Sequence, residues 1–112
     1  MAFLVKTSTD LSTGDADADI YFGPVILTSD TIVSFQLAWT GVTTGTLYLQ
    51  VSNDGVNYIT TSEVFPNNPA GATGSTAEVW SGFGYKYARV FYDFTSSTPQ
   101  TTMTCYAEVK RA

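Results

Sequence analysis

Histidine is absent from this sequence of 112 residues, and cysteine occurs once, as Cys105. Without histidine the chain lacks the usual general base, the commonest metal ligand and the side chain that normally titrates near neutral pH. A single cysteine excludes an intrachain disulfide and a cysteine-based zinc site. Aspartate and glutamate are scattered, and none stands beside a nucleophile and a base. We therefore predict that the protein is not an enzyme and needs no cofactor.

Charged residues are also scarce, at 13% of the chain, and the five basic residues are outnumbered by ten acidic ones. Binding to nucleic acid or to an anionic membrane needs a basic surface, which so few bases cannot supply. No apolar run approaches the roughly 20 residues of a membrane-spanning helix. The N-terminal residues show no basic leader followed by a cleavage site. These absences predict synthesis in a cytoplasm without a signal peptide, and neither nucleic acid nor a membrane as partner.

The most acidic stretch is DADAD at residues 15–19. It is similar to the start of a helix-loop-helix calcium loop, which requires glycine at its sixth position and an acid at its twelfth. Counted from Asp15, those positions hold Ile20 and Ile26, so that motif is not present. A looser calcium site built from oxygen ligands and a plain solvated loop stay open as alternatives.

Alternation of apolar and polar residues is the dominant pattern in the chain. It is clearest in residues 31–39, 46–52 and 101–109, and its apolar members are expected to face a core: Val33, Phe35, Leu37, Trp39, Leu47, Leu49, Val51, Met103, Cys105, Ala107 and Val109. Tyr48 and Gln50 are expected to point outward. No segment shows a sustained helical period.

Weaker strands are predicted at residues 2–6, 19–27, 56–61 and 76–80, and a loop at 66–75. The dipeptide Gly23-Pro24 should place a bulge or a sheet edge in the 19–27 strand, because proline has no N–H to donate. About seven or eight short strands predict a single all-β domain over residues 1–112. We expect an antiparallel β-sandwich or jelly roll.

Aromatic residues are abundant: seven tyrosines, seven phenylalanines and two tryptophans. In the segment 85–93 arginine is costly to bury, so Ala88, Val90 and Tyr92 form the better inward set. The residues on the other side of that strand, together with outward aromatic residues of other predicted strands, form a predicted interface for another protein. Its members are Tyr48, Tyr85, Tyr87, Arg89, Phe91 and Tyr106.

The stretch LQVSNDGVNY at residues 49–58 predicts a hairpin turn. Residues 52–54 are turn formers whose side chains bond nearby backbone, and Gly55 supplies a position with positive φ. The returning strand should then begin with Val56 and Tyr58. The competing hypothesis is a sugar-binding loop in which Asp54 and Tyr58 contact the glycan.

Two stretches, LYLQVSNDGVNY at 47–58 and GFGYKYARVFYDF at 82–94, resemble a group of small virion proteins of tailed bacteriophages. In that group a Gly-Thr-Leu strand leads into a Val-Ser-Asn-Asp-Gly turn, and a Gly-Tyr-Lys/Arg-Tyr-x-Arg-Val strand follows. The resemblance covers residues 20–109, and tyrosine stands at position 58 where the group more often has tryptophan. The Ser-x-Asp-Gly-x-x-aromatic phrase is also similar to one in carbohydrate-binding jelly rolls of the discoidin type.

The resemblance implies a structural protein of the virion, with capsid decoration by non-covalent docking as the first expectation. It implies a homo-oligomer, with a trimer favoured, and the phage major capsid protein or other virion proteins as partners. The alternatives are a tail or fibre module that binds a host-surface carbohydrate and a structural component of the neck or tail.

Overall fold

The computed structural model describes residues 4–15, 19–27, 31–81, 84–97 and 101–111. These residues form eight β-strands: β1 Leu4–Asp15, β2 Ile20–Ile26, β3 Thr31–Thr40, β4 Thr43–Ser52, β5 Ile59–Val64, β6 Gly74–Ser81, β7 Tyr87–Ser97 and β8 Thr102–Arg111. No helix in this part of the chain is long and apolar enough to cross a membrane. The prediction of an all-β fold is confirmed.

The strands form two antiparallel sheets of four strands each. The first sheet has the order β1-β8-β3-β6, and the second has the order β2-β7-β4-β5. The first strand pairs with the last, the second with the second-last, and so on inward: β1 with β8, β2 with β7, β3 with β6 and β4 with β5. This pairing is that of an eight-stranded jelly roll, one of the two predicted architectures.

The core lies between the two sheets and contains all the inward residues that the alternation predicts, together with others such as Phe22, Phe65 and Trp80. Every residue of that predicted set is buried, with exposed fractions between 0% for Phe35 and 6% for Val109. Ala88, Val90 and Tyr92 of β7 are also fully buried, which confirms the register chosen for that strand. Each large apolar side chain removed from water in this way stabilises the fold by about 1.5–3 kcal/mol.

Strand β2 carries the bulge predicted at Gly23-Pro24 and lies at the edge of the second sheet. Phe22 pairs with Val90 and Val25 with Ala88, so two residues of β2 stand opposite one residue of β7. The extra residue keeps Phe22 and Val25 both on the core side. Tyr21 and Ile26 are consequently exposed on the outer side.

Several predicted strand bounds were wrong. The predicted strand 2–6 is longer, because β1 runs from Leu4 to Asp15, and residues 1–3 lie outside the described residues. The returning strand of the hairpin begins at Ile59 rather than at residue 56, since the turn itself occupies the backbone up to Asn57. Strand β6 begins at Gly74, inside the predicted loop 66–75, because it continues to pair with β3 as far as Trp39.

Candidate interaction face

The outer side of the second sheet carries a row of side chains that crosses its four strands. Tyr21 of β2 pairs with Phe91 of β7, which pairs with Tyr48 of β4, which pairs with Val64 of β5. The rings of Tyr21 and Phe91 stack with centroids 4.6 Å apart, and those of Tyr48 and Phe91 are 6.4 Å apart and nearly parallel. Tyr21 is 53% exposed and Val64 is 71% exposed. We call these four residues, three aromatic and one aliphatic, the aromatic row.

Arg89 lies on the same face, two residues before Phe91 on β7. Its guanidinium carbon is 4.2 Å from the centroid of the Tyr21 ring and 3.7 Å from that of the Tyr58 ring. The Arg89 Nε–H donates a hydrogen bond of 2.8 Å to Oε1 of Gln50, and Nε2 of Gln50 donates one of 3.1 Å to Oγ1 of Thr60. Two cation–π contacts and a hydrogen bond therefore hold the arginine in place.

Gln50 corrects one expectation from the sequence. It lies on the outer side of β4 as predicted, yet it is only 9% exposed. Its neighbours on the adjoining strands, Arg89 and Thr60, cover it and use both ends of its amide. Alternation shows the side on which a residue lies, but the neighbouring strands decide how much of it water reaches.

Tyr58 joins this face from the segment between β4 and β5. Its hydroxyl oxygen is buried and makes no hydrogen bond within the described residues. Burial raises the pKa of the Tyr58 phenol, and the positive charge of Arg89 acts in the opposite direction. The Tyr58 ring thus supplies one wall of the Arg89 environment.

Tyr87 and Tyr85 lie toward the end of the face where β7 begins. Tyr87 pairs with Ile26 on one side and Ser52 on the other. A side chain at Gly55, where φ is +75°, would stand 3.3 Å from the Tyr87 ring, so the glycine lets the ring lie against the hairpin turn. Tyr85 precedes β7 and is 38% exposed.

Tyr106 does not belong with the other predicted interface residues. It lies on β8, in the first sheet, and pairs with Gln36 of β3. Its ring is therefore on the opposite side of the sandwich from Arg89 and the aromatic row. The structure brings Tyr48, Tyr87, Arg89 and Phe91 to one face and places Tyr106 elsewhere.

Asp54 closes the predicted hairpin turn with its own carboxylate. Oδ1 accepts hydrogen bonds of 2.8 Å from the backbone N–H groups of Val56 and Asn57 and from the Ser52 hydroxyl. Oδ2 accepts another from the Asn57 side chain, at 2.8 Å. The bonds from Asn57 and Val56 are the main reason that the pKa of Asp54 lies well below its ordinary value. The predicted hairpin turn is confirmed, and its carboxylate is used within the turn.

The acidic stretch 15–19 lies largely outside the described residues, because 16–18 are not among them. Asp19 accepts a hydrogen bond of 2.8 Å from the backbone N–H of Phe94. In the described part of the chain no three His, Cys, Asp or Glu side chains are grouped so as to hold a metal ion. The calcium hypothesis for 15–19 stays a hypothesis.

Sequence reasoning missed three exposed residues of this face: Tyr21, Ile26 and Val64. The signal for Tyr21 was present, since Ile20 and Phe22 on either side of it are apolar and inward. Ile26 was hidden by the bulge, which changes the side on which later residues of β2 lie. Val64 was hidden because the β5 strand ends later than the sequence suggests.

This face combines flat rings, apolar side chains and one arginine. Tyrosine, phenylalanine and arginine are enriched at protein interfaces. The aromatic rings supply a large contact area with few rotatable bonds, and the guanidinium supplies a planar set of hydrogen-bond donors. The arrangement suits non-covalent contact with another protein. No protein-family model matches this chain, and no match was found among curated proteins.

Proposed function

We propose that this protein is a structural component of a tailed-phage virion and that it decorates the capsid. It docks non-covalently, through the outer face of the second sheet, on the major capsid protein, and it does so as a homo-oligomer. The observation that carries this proposal is the aromatic row with Arg89 beside it, an exposed surface that combines stacked rings and a cation.

The physical support comes from the contacts that these side chains make with one another. Phe91 holds Tyr21 by stacking, and Arg89 is fixed by Gln50 and two rings. Side chains that are already ordered lose little conformational entropy when a partner covers them. A surface prepared in this way is suited to lasting contact in a particle.

The fold supports the proposal only in a general way. Jelly rolls are common in viral capsid proteins and also in lectins, so the fold alone does not choose between assembly and sugar binding. The resemblance of residues 47–58 and 82–94 to small tailed-phage proteins favours the first choice.

The alternative of a glycan site at Asp54 and Tyr58 has weaker support. Both carboxylate oxygens of Asp54 accept hydrogen bonds from within the turn. One region of the Tyr58 ring is covered by Arg89, at 3.7 Å. A glycan would have to displace these contacts before it could use either residue. A structural role in the neck or tail would use the same face as capsid decoration.

The test is sedimentation of the purified protein with phage heads that lack it, together with light scattering of the protein alone. We expect saturable binding to the heads and a mass greater than that of one chain. Binding to a glycan array that is lost in Asp54→Ala and Tyr58→Ala, without binding to heads, would replace this proposal with the carbohydrate alternative.

A further inference from the structure

The charge of Arg89 has no acidic counterpart among the residues that the structure describes. Within the described residues, one ion pair is found, between Lys110 and Glu108 of the first sheet at 3.1 Å. The Nε of Arg89 is bonded to Gln50, whereas its two terminal nitrogens make no hydrogen bond in this part of the structure. The buried hydroxyl of Tyr58, whose ring contacts the same guanidinium, also has no hydrogen-bond partner there.

The surroundings of Arg89 determine which ligand would complement it. The Tyr21 and Tyr58 rings cover parts of the guanidinium and remove water from them. The two terminal nitrogens of a guanidinium form a planar fork that matches the two oxygens of a carboxylate. An amide oxygen would satisfy the hydrogen bonds but leave the charge uncompensated in a partly dehydrated place.

We propose that Arg89, with Tyr21, Tyr58 and Gln50, is a receptor for one carboxylate side chain of the partner protein. This proposal specifies which chemical group of the partner the docking face would bind. It rests on the proposed function only for the identity of the partner. The formal net charge of −5 disfavours a polyphosphate partner such as nucleic acid, whereas a single acidic side chain among apolar ones fits a mostly aromatic surface.

The chain offers a variant that tests this role without removing the arginine. Gln50 already contacts Arg89 through Oε1, at 2.8 Å. Gln50→Glu places a carboxylate at the same position, and the Thr60 hydroxyl can then donate to it. This internal acid should compensate the charge of Arg89 from the Nε side, and so weaken the attraction for a partner carboxylate at the terminal nitrogens. We expect the fold to stay intact.

The experiment that does not depend on a phage is a titration followed by the NMR signal of the Arg89 Nε–H. The probes are the peptide acetyl-Tyr-Glu-Tyr-amide and its Tyr-Gln-Tyr counterpart, both at millimolar concentration. We expect the glutamate peptide to shift the signal, the glutamine peptide to do so far less, and Gln50→Glu to reduce the response to the glutamate peptide. An equal response to both peptides, no response, or a stronger response to inorganic phosphate would overturn the carboxylate receptor.

The second measurement is the binding of variants to phage heads. Arg89→Lys keeps the charge but loses the fork, so we expect roughly tenfold weaker binding, as for a lost charge-assisted hydrogen bond. Gln50→Glu should weaken binding as well, and thermal unfolding should show that it remains folded. If the wild-type protein responds to the glutamate peptide but does not bind heads, the proposed function fails and the receptor stands. If it binds heads and Gln50→Glu binds equally well, the receptor fails and the proposed function stands.

Discussion

The two outer faces of the sandwich are built on the same plan and carry different chemistry. At the centre of the first sheet lie small and polar side chains such as Ser34 and Gln36, opposite Glu108 and Tyr106 of β8. At the centre of the second sheet lie Arg89 and the aromatic row. Lys110, a cation of the first sheet, has a carboxylate on its own strand at 3.1 Å, whereas Arg89 has rings and an amide.

The difference shows which outer face leaves more aromatic surface uncovered in the single chain. Both sheets have apolar inner sides that bury each other, so stability does not explain why one outer side has so many rings. Rings that remain exposed, such as that of Tyr21 at 53%, keep apolar area in contact with water. The second face is therefore the one that would gain more from a partner under the proposed function. The following changes separate its role from that of the shared core.

The largest effect is expected from Gly45→Val, which overpacks the core between the two sheets. A side chain at Gly45 would begin 2.5 Å from the Tyr92 ring and from the backbone oxygen of Asp93, so the core is overpacked. We expect a loss of about 3 kcal/mol or more in the free energy of unfolding, measured by urea denaturation. The control is Gly84→Ala, where no atom of the described residues lies within 4 Å of an added Cβ. Equal stability of the two variants would contradict this account of the core.

The comparison of the faces is tested most directly by Phe91→Ala and Tyr106→Ala. Phe91 supports Tyr21 and Tyr48, so its loss should weaken self-association or head binding by about 2 kcal/mol, as at an interface hot spot. Tyr106→Ala removes a half-exposed ring from the other face and should leave binding unchanged. Sedimentation equilibrium and head binding measure both. A larger effect of Tyr106→Ala would move the interface to the first sheet.

Tyr92→Phe should lower stability without altering either outer face. The Tyr92 hydroxyl shares a buried hydrogen bond of 2.6 Å with that of Thr43, and its loss costs about 1 kcal/mol. Burial raises the pKa of Tyr92 above its ordinary value of 10.0, so this phenol holds its proton more tightly in the folded state. Its contribution is present below pH 10 and falls as the pH rises further. Denaturation at neutral and alkaline pH should therefore show the difference between wild type and Tyr92→Phe narrowing above pH 10.

The smallest effect is expected from Asp54→Asn, at the turn against which Tyr87 packs. Because the pKa of Asp54 is lower in the folded state than its ordinary value of 3.8, its charged form stabilises the turn above that pH. The contribution is lost as the pH falls below 3.8. Thermal unfolding should show wild type slightly more stable than Asp54→Asn at neutral pH, and the difference should shrink in acid. An unchanged difference at low pH would show that charge is not involved.

Much of the fold could be predicted because alternation depends only on local sequence. Val33, Leu49 and Met103 are inward for the same reason, and Gly55 has the positive φ that the turn requires. Alternation does not show which strands share a sheet. For that reason Tyr106 was grouped with Phe91, although the pairing places them on opposite faces.

The contacts of Arg89 at the centre of the candidate site were harder to predict than its outward position on β7. The sequence indicated that Arg89 points outward, but its contacts come from three other segments of the chain. Tyr21 reaches it from β2, Tyr58 from the segment after β4, and Gln50 from β4 itself. Such a cluster depends on the order and register of the strands, which single-strand patterns do not contain.

The strand pairing also has a consequence for the rate at which the protein folds. Among the paired strands of the described residues, only β4 and β5 are joined by a short turn, and every other pair joins strands that are far apart along the chain. The outermost pair brings Leu4 next to Lys110. Folds dominated by such distant contacts reach their native state slowly, because long loops must close before the contacts form. We therefore expect the 52–58 hairpin to form early, so that Asp54→Asn slows folding as well as lowering stability.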